Sequence, residues 1–365
     1  MTHSKRSHIQ KMRREHKLSQ MKLSFMVATA LLLSSGTGAL AEKGQTDRDM
    51  VYIPFSAVVM GIDKDESVRG TQKGESQTMY QKRASMPWSR QAFHDEGPAH
   101  WVVIDAYKID KYEVSNKKFE NFMKDTGHTS PAYWDDPRLN KPEQPVVGVN
   151  WTDANSYCKW EGKRLPTEAE WEHAARGKEG RIYPWGNEFD ASKANFGKNH
   201  QATLPVNSLP EGASAYGLHH MAGNVFEWVE DWYDPNFYQK TPHPVNTKGP
   251  LKPIWLGGTG TYVDRLTTGE KRVIRGGSWI AAKSSITTTH RFWNNPMNNS
   301  YGVGLGFRCA KSASQSIVNE VRALTIQAMK NIGIEKNEEA QKNLDEALQL
   351  DPTNEELQQM RSLLH

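Results

Sequence analysis

The stretch from Ile182 to Arg308 constrains this chain most. It is crowded with Gly, Pro, Asn and Trp and shows no long helical period, so irregular loops and short strands must dominate there. With 12 tryptophans in the chain and so little regular structure, the fold must be held by aromatic plugs and loop hydrogen bonds. Upstream, regular elements are legible. Met50 to Gly61 (MVYIPFSAVVMG) sets β-formers around a Pro and reads as a strand, and WVVIDAYKIDKYEV (Trp101 to Val114) reads as a strand pair. Ser115 caps a helix with Phe119, Phe122 and Met123 on one face. Trp151-Thr152-Asp153 opens a second helix, with Ala154, Tyr157, Cys158 and Trp160 as its buried stripe. Thr167 and Glu170 form a capping box over Glu168 to Arg176. Between Ile62 and Ala92 the polar, aperiodic chain reads as a long surface loop.

The formal charge of +4 is unevenly spread. Residues 1–41 hold seven basic side chains against the single acid Glu15; subtracting that +6 from +4 leaves −2 for residues 42–365. The mature chain therefore has no overall cationic field for nucleic acid or anionic lipid. Leu23 to Leu33 (LSFMVATALLL) has the length of a signal-peptide core, too short to span a bilayer, and Ala39-Leu40-Ala41 supplies an A-x-A site. Residues 1–41 are thus expected to be a signal peptide cleaved after Ala41, with 42–49 a loose leader. Met21 offers an alternative start, and Arg13-Arg14 suggests a twin-arginine signal without the apolar residues that should follow. The mature protein is expected in the periplasm or outside the cell, with no membrane span after cleavage.

After Arg308 the texture changes. Ser314 to Leu364 is rich in Ala, Leu, Glu, Lys and Gln. Ile317, Val321, Leu324 and Ala328 form one helical stripe; Ala340, Leu344, Ala347 and Leu348 form another. The segment Asn319 to Pro352 resembles a single tetratricopeptide repeat, with a further helix from Thr353. One repeat cannot bury its own apolar face, so the 314–365 tail is expected to dock on a partner, on a second copy or on its own domain.

Eight segments, in order, resemble the sulfatase-modifying-factor family of the formylglycine-generating enzyme: IPFSAVVMG, DEGPAHWV, YEVSNKKF, VNWTDANSYCKWEGKRLPTEAEWEHAARG, YPWGN, GLHHMAGNVFEWVEDWY, RVIRGGSW and GFRCA. The resemblance covers residues 50–311 and implies an α+β, C-type-lectin-like fold with little regular structure; the helical tail lies outside it. KRLPTEAEWE has a structural role of its own in prospect, with Trp171 as a core plug and Arg164 or Glu170 as buried ion partners.

Aerobic members of the family are similar in carrying two cysteines just after the RGGS segment, where soft thiolates bind copper(I) and activate oxygen. Here those positions fall on Ala281 and near Ser285 or Ile286. The two cysteines present, Cys158 and Cys309, match positions that the resemblance pairs as a structural disulfide, which an exported chain would favour. Copper is therefore not expected. Two cysteines also exclude a disulfide scaffold or a multi-cysteine zinc or iron–sulfur site. The His-x₃-His-x-Glu iron motif of the sulfoxide-synthase branch is missing too. The resemblance implies structural calcium, at the carbonyls of Gly223 and Val225 with Glu227, and at Asn195 with the carbonyl of Phe196. His220 replaces an Asn ligand of the first site, and the second lacks its acidic partner. Candidate cleft residues carried over from relatives are Trp228, Arg275, Ser278, His290 and Arg291.

These readings favour an exported accessory or maturation protein that binds a protein or cofactor-bearing partner. The alternative is a periplasmic oxidoreductase without copper–cysteine chemistry, and formylglycine formation ranks last.

Overall fold

The computed structural model describes residues 49–62, 95–240, 249–254, 269–297, 302–313, 315–334, 336–352 and 354–364. The segments expected to be a signal peptide (1–41), a leader (42–49, of which only Asp49 is described) and a loop after Ile62 lie outside them. The chain divides into two compact units, one spanning residues 45–319 and the other containing residues 320–365.

Pro54 has no N–H for a ladder, so the strand expected over Met50 to Gly61 breaks into two. They are β1 (Met50–Ile53) and β2 (Ser56–Met60). The halves enter different sheets. β1 pairs antiparallel with β4 (Tyr107–Asp110), and β2 pairs antiparallel with β3 (His100–Ile104). The two strands within Trp101 to Val114 therefore pair with their counterparts from 50–60 and not with each other. β9 (Ala310–Ser312) adds to the far side of β4. A separate four-stranded sheet has the order β7-β6-β5-β8, built from Arg291–Asn294, Arg272–Arg275, Phe226–Trp232 and Leu305–Gly306.

Three helices brace these sheets, each with a side-chain cap. The Ser115 hydroxyl accepts from the Lys118 N–H at the start of α1 (Asn116–Thr126), which ends on Gly127 at φ 70. Asn150 and Asp153 make a capping box for α2 (Trp151–Trp160), and Thr167 and Glu170 make one for α3 (Glu168–Arg176). A short turn, α4 (Phe237–Lys240), follows β5.

Two apolar cores result. In one, Trp171, Ala174 and Ala175 of α3 pack against Ile53, Ile104, Ile109 and Val273. The other gathers Phe119, Phe122, Tyr157 and Phe307 around Cys158 and Cys309, with Met123 and Trp160 half-buried at its edge. Its rings meet face to face and edge to face: Phe119 stacks on Tyr157 at 5.7 Å and Tyr157 meets Phe307 at 5.4 Å. Cys158 and Cys309 are joined by a disulfide across 151 residues, tying α2 to the chain just before β9.

The C-terminal unit continues α5 (Gln315–Gly333) into α6 (Asn337–Leu350) and α7 (Glu355–Ser362). Val321, Ala328, Leu344, Ala347, Leu357 and Met360 form its core, and Leu324 and Leu348 pack half-buried against it. Among the described residues no helix is long and apolar enough to cross a membrane.

A crosslink across 151 residues removes a large share of unfolded-state freedom. Replacing both cysteines with Ser is expected to cost about 2–5 kcal/mol, read as the urea-unfolding midpoint of the oxidised protein. A midpoint indifferent to the substitution and to reductant would contradict this.

Candidate functional site

The expected cleft residues resolve into a buried charge lattice. Arg275 of β6 and Arg291 of β7 are direct cross-strand partners, two like charges side by side. Opposite them α3 presents Glu168 and Glu172, four residues apart and so on one face about 6 Å along the axis, close to the ~4.8 Å between strands. Arg291 donates from Nε and Nη2 to the two oxygens of Glu168, at 2.7 and 3.0 Å. Arg275 donates to Glu172 and to the carbonyls of Thr288, Thr289 and His290. Burial works to raise the Glu168 carboxyl, but Arg291 and Arg275 outweigh it and hold the group below its usual value. All four side chains are buried.

His290 sits at the same end, its Nδ1 3.3 Å from Glu96 Oε1. Ser278 is buried beside Gly304, where a Cβ on the glycine would come within 2.9 Å of the Ser278 Cβ. Trp228 belongs to the disulfide core and donates from Nε1 to the Val149 carbonyl at 3.1 Å. The structure thus joins Arg275, His290 and Arg291 in one cluster and leaves Trp228 elsewhere. None of the five is exposed. Arg164 and Glu170 do pair, through two hydrogen bonds of 2.7 and 2.6 Å, and Trp171 is the core plug expected of it. Glu168, Glu172 and Glu96 were missed; the i,i+4 acids of α3 were the available signal.

The positions that carry copper thiols in relatives are filled differently. Ile286 is buried with Tyr183, Ala194 and Ala222. Gly277, at φ +76, would place a Cβ 2.6 Å from the Ser285 carbonyl oxygen and 2.8 Å from Ile286 Cγ2. Backbone and isoleucine therefore close the space beneath the RGGS turn. Neither cysteine is a free thiol.

Nor do the residues fit calcium at Glu227. Both oxygens of that carboxylate accept from Arg308, each at 2.7 Å, and one also accepts from Trp171 Nε1 at 2.8 Å. A divalent cation there would face a buried guanidinium. At the second expected site Asn195 Oδ1 is buried without a hydrogen-bond partner, while the Asn195 carbonyl accepts from the Asn224 N–H. Among the described residues no three His, Cys, Asp or Glu side chains gather to hold a metal ion.

Beside the filled thiol positions lies an open concavity of about 550 Å³ lined by residues 185–191 and Lys193. Its aromatic members pack with the Ile286 cluster. Trp185 stacks on Tyr183 at 5.2 Å with 7° between the rings, leaving its indole half-buried. Lys283, from the segment that replaces the thiols, holds its ammonium 3.7 Å over the Phe189 ring. Glu188 is exposed on the rim, and Asp190 is oriented by hydrogen bonds from the Ser192 N–H and hydroxyl.

Residues 38–313 match the family model described as sulfatase-modifying factor enzyme 1-like domain. The serine/threonine-protein kinase Pkn1 of Chlamydia trachomatis serovar L2 is 39% identical over 237 residues, covering 60% of this chain and 35% of the relative. The chain thus spans about a third of that kinase and of its two chlamydial counterparts. The formylglycine-generating enzyme of Streptomyces coelicolor is 33% identical, over 60% of this chain and 82% of its own. The inactive Cα-formylglycine-generating enzyme 2 of Mus musculus is 32% identical over 74% of this chain and 87% of its own. Among solved structures, PvdO from Pseudomonas aeruginosa superposes with a TM-score of 0.54 at 24% identity, covering 72% of this chain and 94% of that one; the likeness is one of fold.

If the lattice is scaffold, breaking one pair should unfold the domain. Glu168→Gln leaves Arg291 without its carboxylate and is expected to cost about 3–5 kcal/mol by urea unfolding. Glu188→Gln, on the exposed rim, should stay within about 0.5 kcal/mol of wild type. A Glu168 variant as stable as wild type would show that the lattice does not carry the fold.

Proposed function

The chain belongs to the sulfatase-modifying factor enzyme 1-like family, and from that premise we propose that it is an exported accessory or maturation protein. It binds an exported polypeptide or cofactor-bearing partner and carries out no copper–thiolate oxidation. The observation that carries this reading is the loss of every thiol the oxidation needs. Cys158 and Cys309 are consumed in a core disulfide, and the copper positions hold Ala281 and the Ser285–Ile286 pair. Oxygen activation by copper(I) in this family's manner rests on soft sulfur ligands, and the chain's two cysteines are both in the disulfide. Two further features support the reading. The Arg side chains expected to line a reaction cleft are turned into the lattice, where they pair with Glu168 and Glu172, and the His290 ring lies against Glu96. And the open concavity at 185–193 offers aromatic surface where a peptide segment could lie, next to the position that chemistry has left.

The inactive murine relative, aligned over most of its length, gives the reading a precedent in name. On this account the concavity supplies the primary contact. The helical unit at 320–365 is a second docking element, for the partner or for another copy.

The full-length chain with a photocrosslinking residue in place of Trp185 is expected to give one discrete protein adduct in the exported fraction of its own cells. The same residue in place of Lys124, exposed on α1, should give none. Equal labelling from both positions, or none from Trp185, would overturn the reading.

A further inference from the structure

Where the chain leaves β2 and returns into β3, its two arms are tied by groups whose charge depends on acidity. The Ile62 N–H donates to the Glu96 carbonyl at 2.9 Å, and the Gly61 N–H donates to Glu172 Oε1 at 2.7 Å. The approach leaves no room for side chains: a Cβ on Gly61 would lie 2.6 Å from the Glu96 carbonyl oxygen, and one on Gly97 would lie 2.6 Å from that of Ile62. Asp95 and Glu96 anchor the returning arm. Asp95 Oδ2 accepts from the Tyr233 hydroxyl at 2.6 Å, while its Oδ1 is buried with no hydrogen-bond partner. Glu96 Oε2 accepts from the Thr289 hydroxyl at 2.8 Å, and Oε1 faces His290 Nδ1.

The charges around this junction are unbalanced toward acid. Facing Asp95 are Arg291 of β7, His290 just before it, Tyr233 just past β5, and its own neighbour Glu96. Arg291 gives Asp95 a hydrogen bond only at the main-chain carbonyl, 2.9 Å; its other N–H groups serve Glu168 and the Asp234 carbonyl, and Tyr238 lies 4.2 Å under its guanidinium. Arg275 is committed to Glu172, which also meets Arg176 and the Gly61 N–H. Asp231 nearby caps the Glu168 N–H. Burial consequently raises the Asp95 carboxyl to about 6, against the opposing pull of Arg291 and Tyr233.

We propose that Asp95 is the acid-sensitive pin of a clasp braced by Glu96 and His290, holding Gly61–Ile62 against Asp95–Pro98 in mildly acidic solution and loosening as the solution nears neutrality. A carboxyl whose folded value lies above its ordinary one binds a proton more tightly when the clasp is shut. Its stabilising effect is full at low pH and is lost as pH rises from about 4 through about 6. Above that range the clasp encloses a carboxylate with one oxygen unpartnered, a costly arrangement that opening relieves.

Amide hydrogen exchange of the full-length protein tests this. Between pH 5 and pH 8 the protection factor of the Ile62 amide, corrected for intrinsic exchange, is expected to fall about tenfold. That of the Val114 amide, which donates to the Phe307 carbonyl in the disulfide core, should hold constant. Asp95→Asn keeps an acceptor for Tyr233 and should flatten the Ile62 profile. A flat wild-type profile, or one that Asp95→Asn leaves unchanged, overturns the clasp. So does an Ile62 response that Val114 follows in step, which would report global stability. If the Asn variant does not fold, the wild-type comparison of Ile62 with Val114 decides the matter by itself.

Discussion

Everything in the 45–319 unit is arranged around two guanidinium groups that the β6–β7 register places side by side in the interior. Two adjacent buried cations are untenable unless each is matched, and the matching must come from an element whose spacing equals that of the strands. One turn of α3 meets the requirement, with Glu168 answering Arg291 and Glu172 answering Arg275. From this follow the burial of α3 on all sides and the route of the chain past Gly61, whose N–H donates to Glu172, and Asp95, whose carbonyl accepts from Arg291. A second matched pair, Arg308 with Glu227, secures the far side of the helix through Trp171.

The candidate cleft residues of the 275–291 segment, Arg275, Ser278, His290 and Arg291, all lie in the interior. Side chains of the right type for acid–base or anion chemistry are present; Arg275 and Arg291 direct most of their N–H groups to Glu172, Glu168 and main-chain carbonyls, while Arg275 Nε and Ser278 Oγ are buried without a hydrogen-bond partner. Trp185 and Phe189 offer half-buried aromatic surface, with the Lys283 ammonium held over the Phe189 ring. A binding protein needs this surface and nothing from the lattice except rigidity.

The helices and their caps were legible because they depend on neighbours in the chain: Ser115, Thr167 with Glu170, and the apolar stripes through Phe119, Tyr157, Ala340 and Leu344 all act within one or two turns. The disulfide followed from resemblance together with the count of two cysteines. Strand pairing was less legible, since the break at Pro54 sends β1 and β2 into different sheets and partner choice is a long-range matter. The charge lattice was hidden for the same reason. Arg275 and Arg291 meet Glu172 and Glu168 across more than a hundred residues, so the arginines read as free functional groups until their partners were in place. Glu227 read as a calcium ligand until Arg308 stood against it.

The central claim is that this family member has given up thiolate chemistry while keeping the fold. Titrating the native, unreduced protein with copper(I) under anaerobic conditions, followed by admission of oxygen with a cysteine-bearing sulfatase peptide, tests it most directly. The account predicts no thiolate-to-copper absorption, no oxygen uptake and an unaltered cysteine in the peptide. A stoichiometric copper–thiolate band, or formylglycine in the peptide, would contradict it.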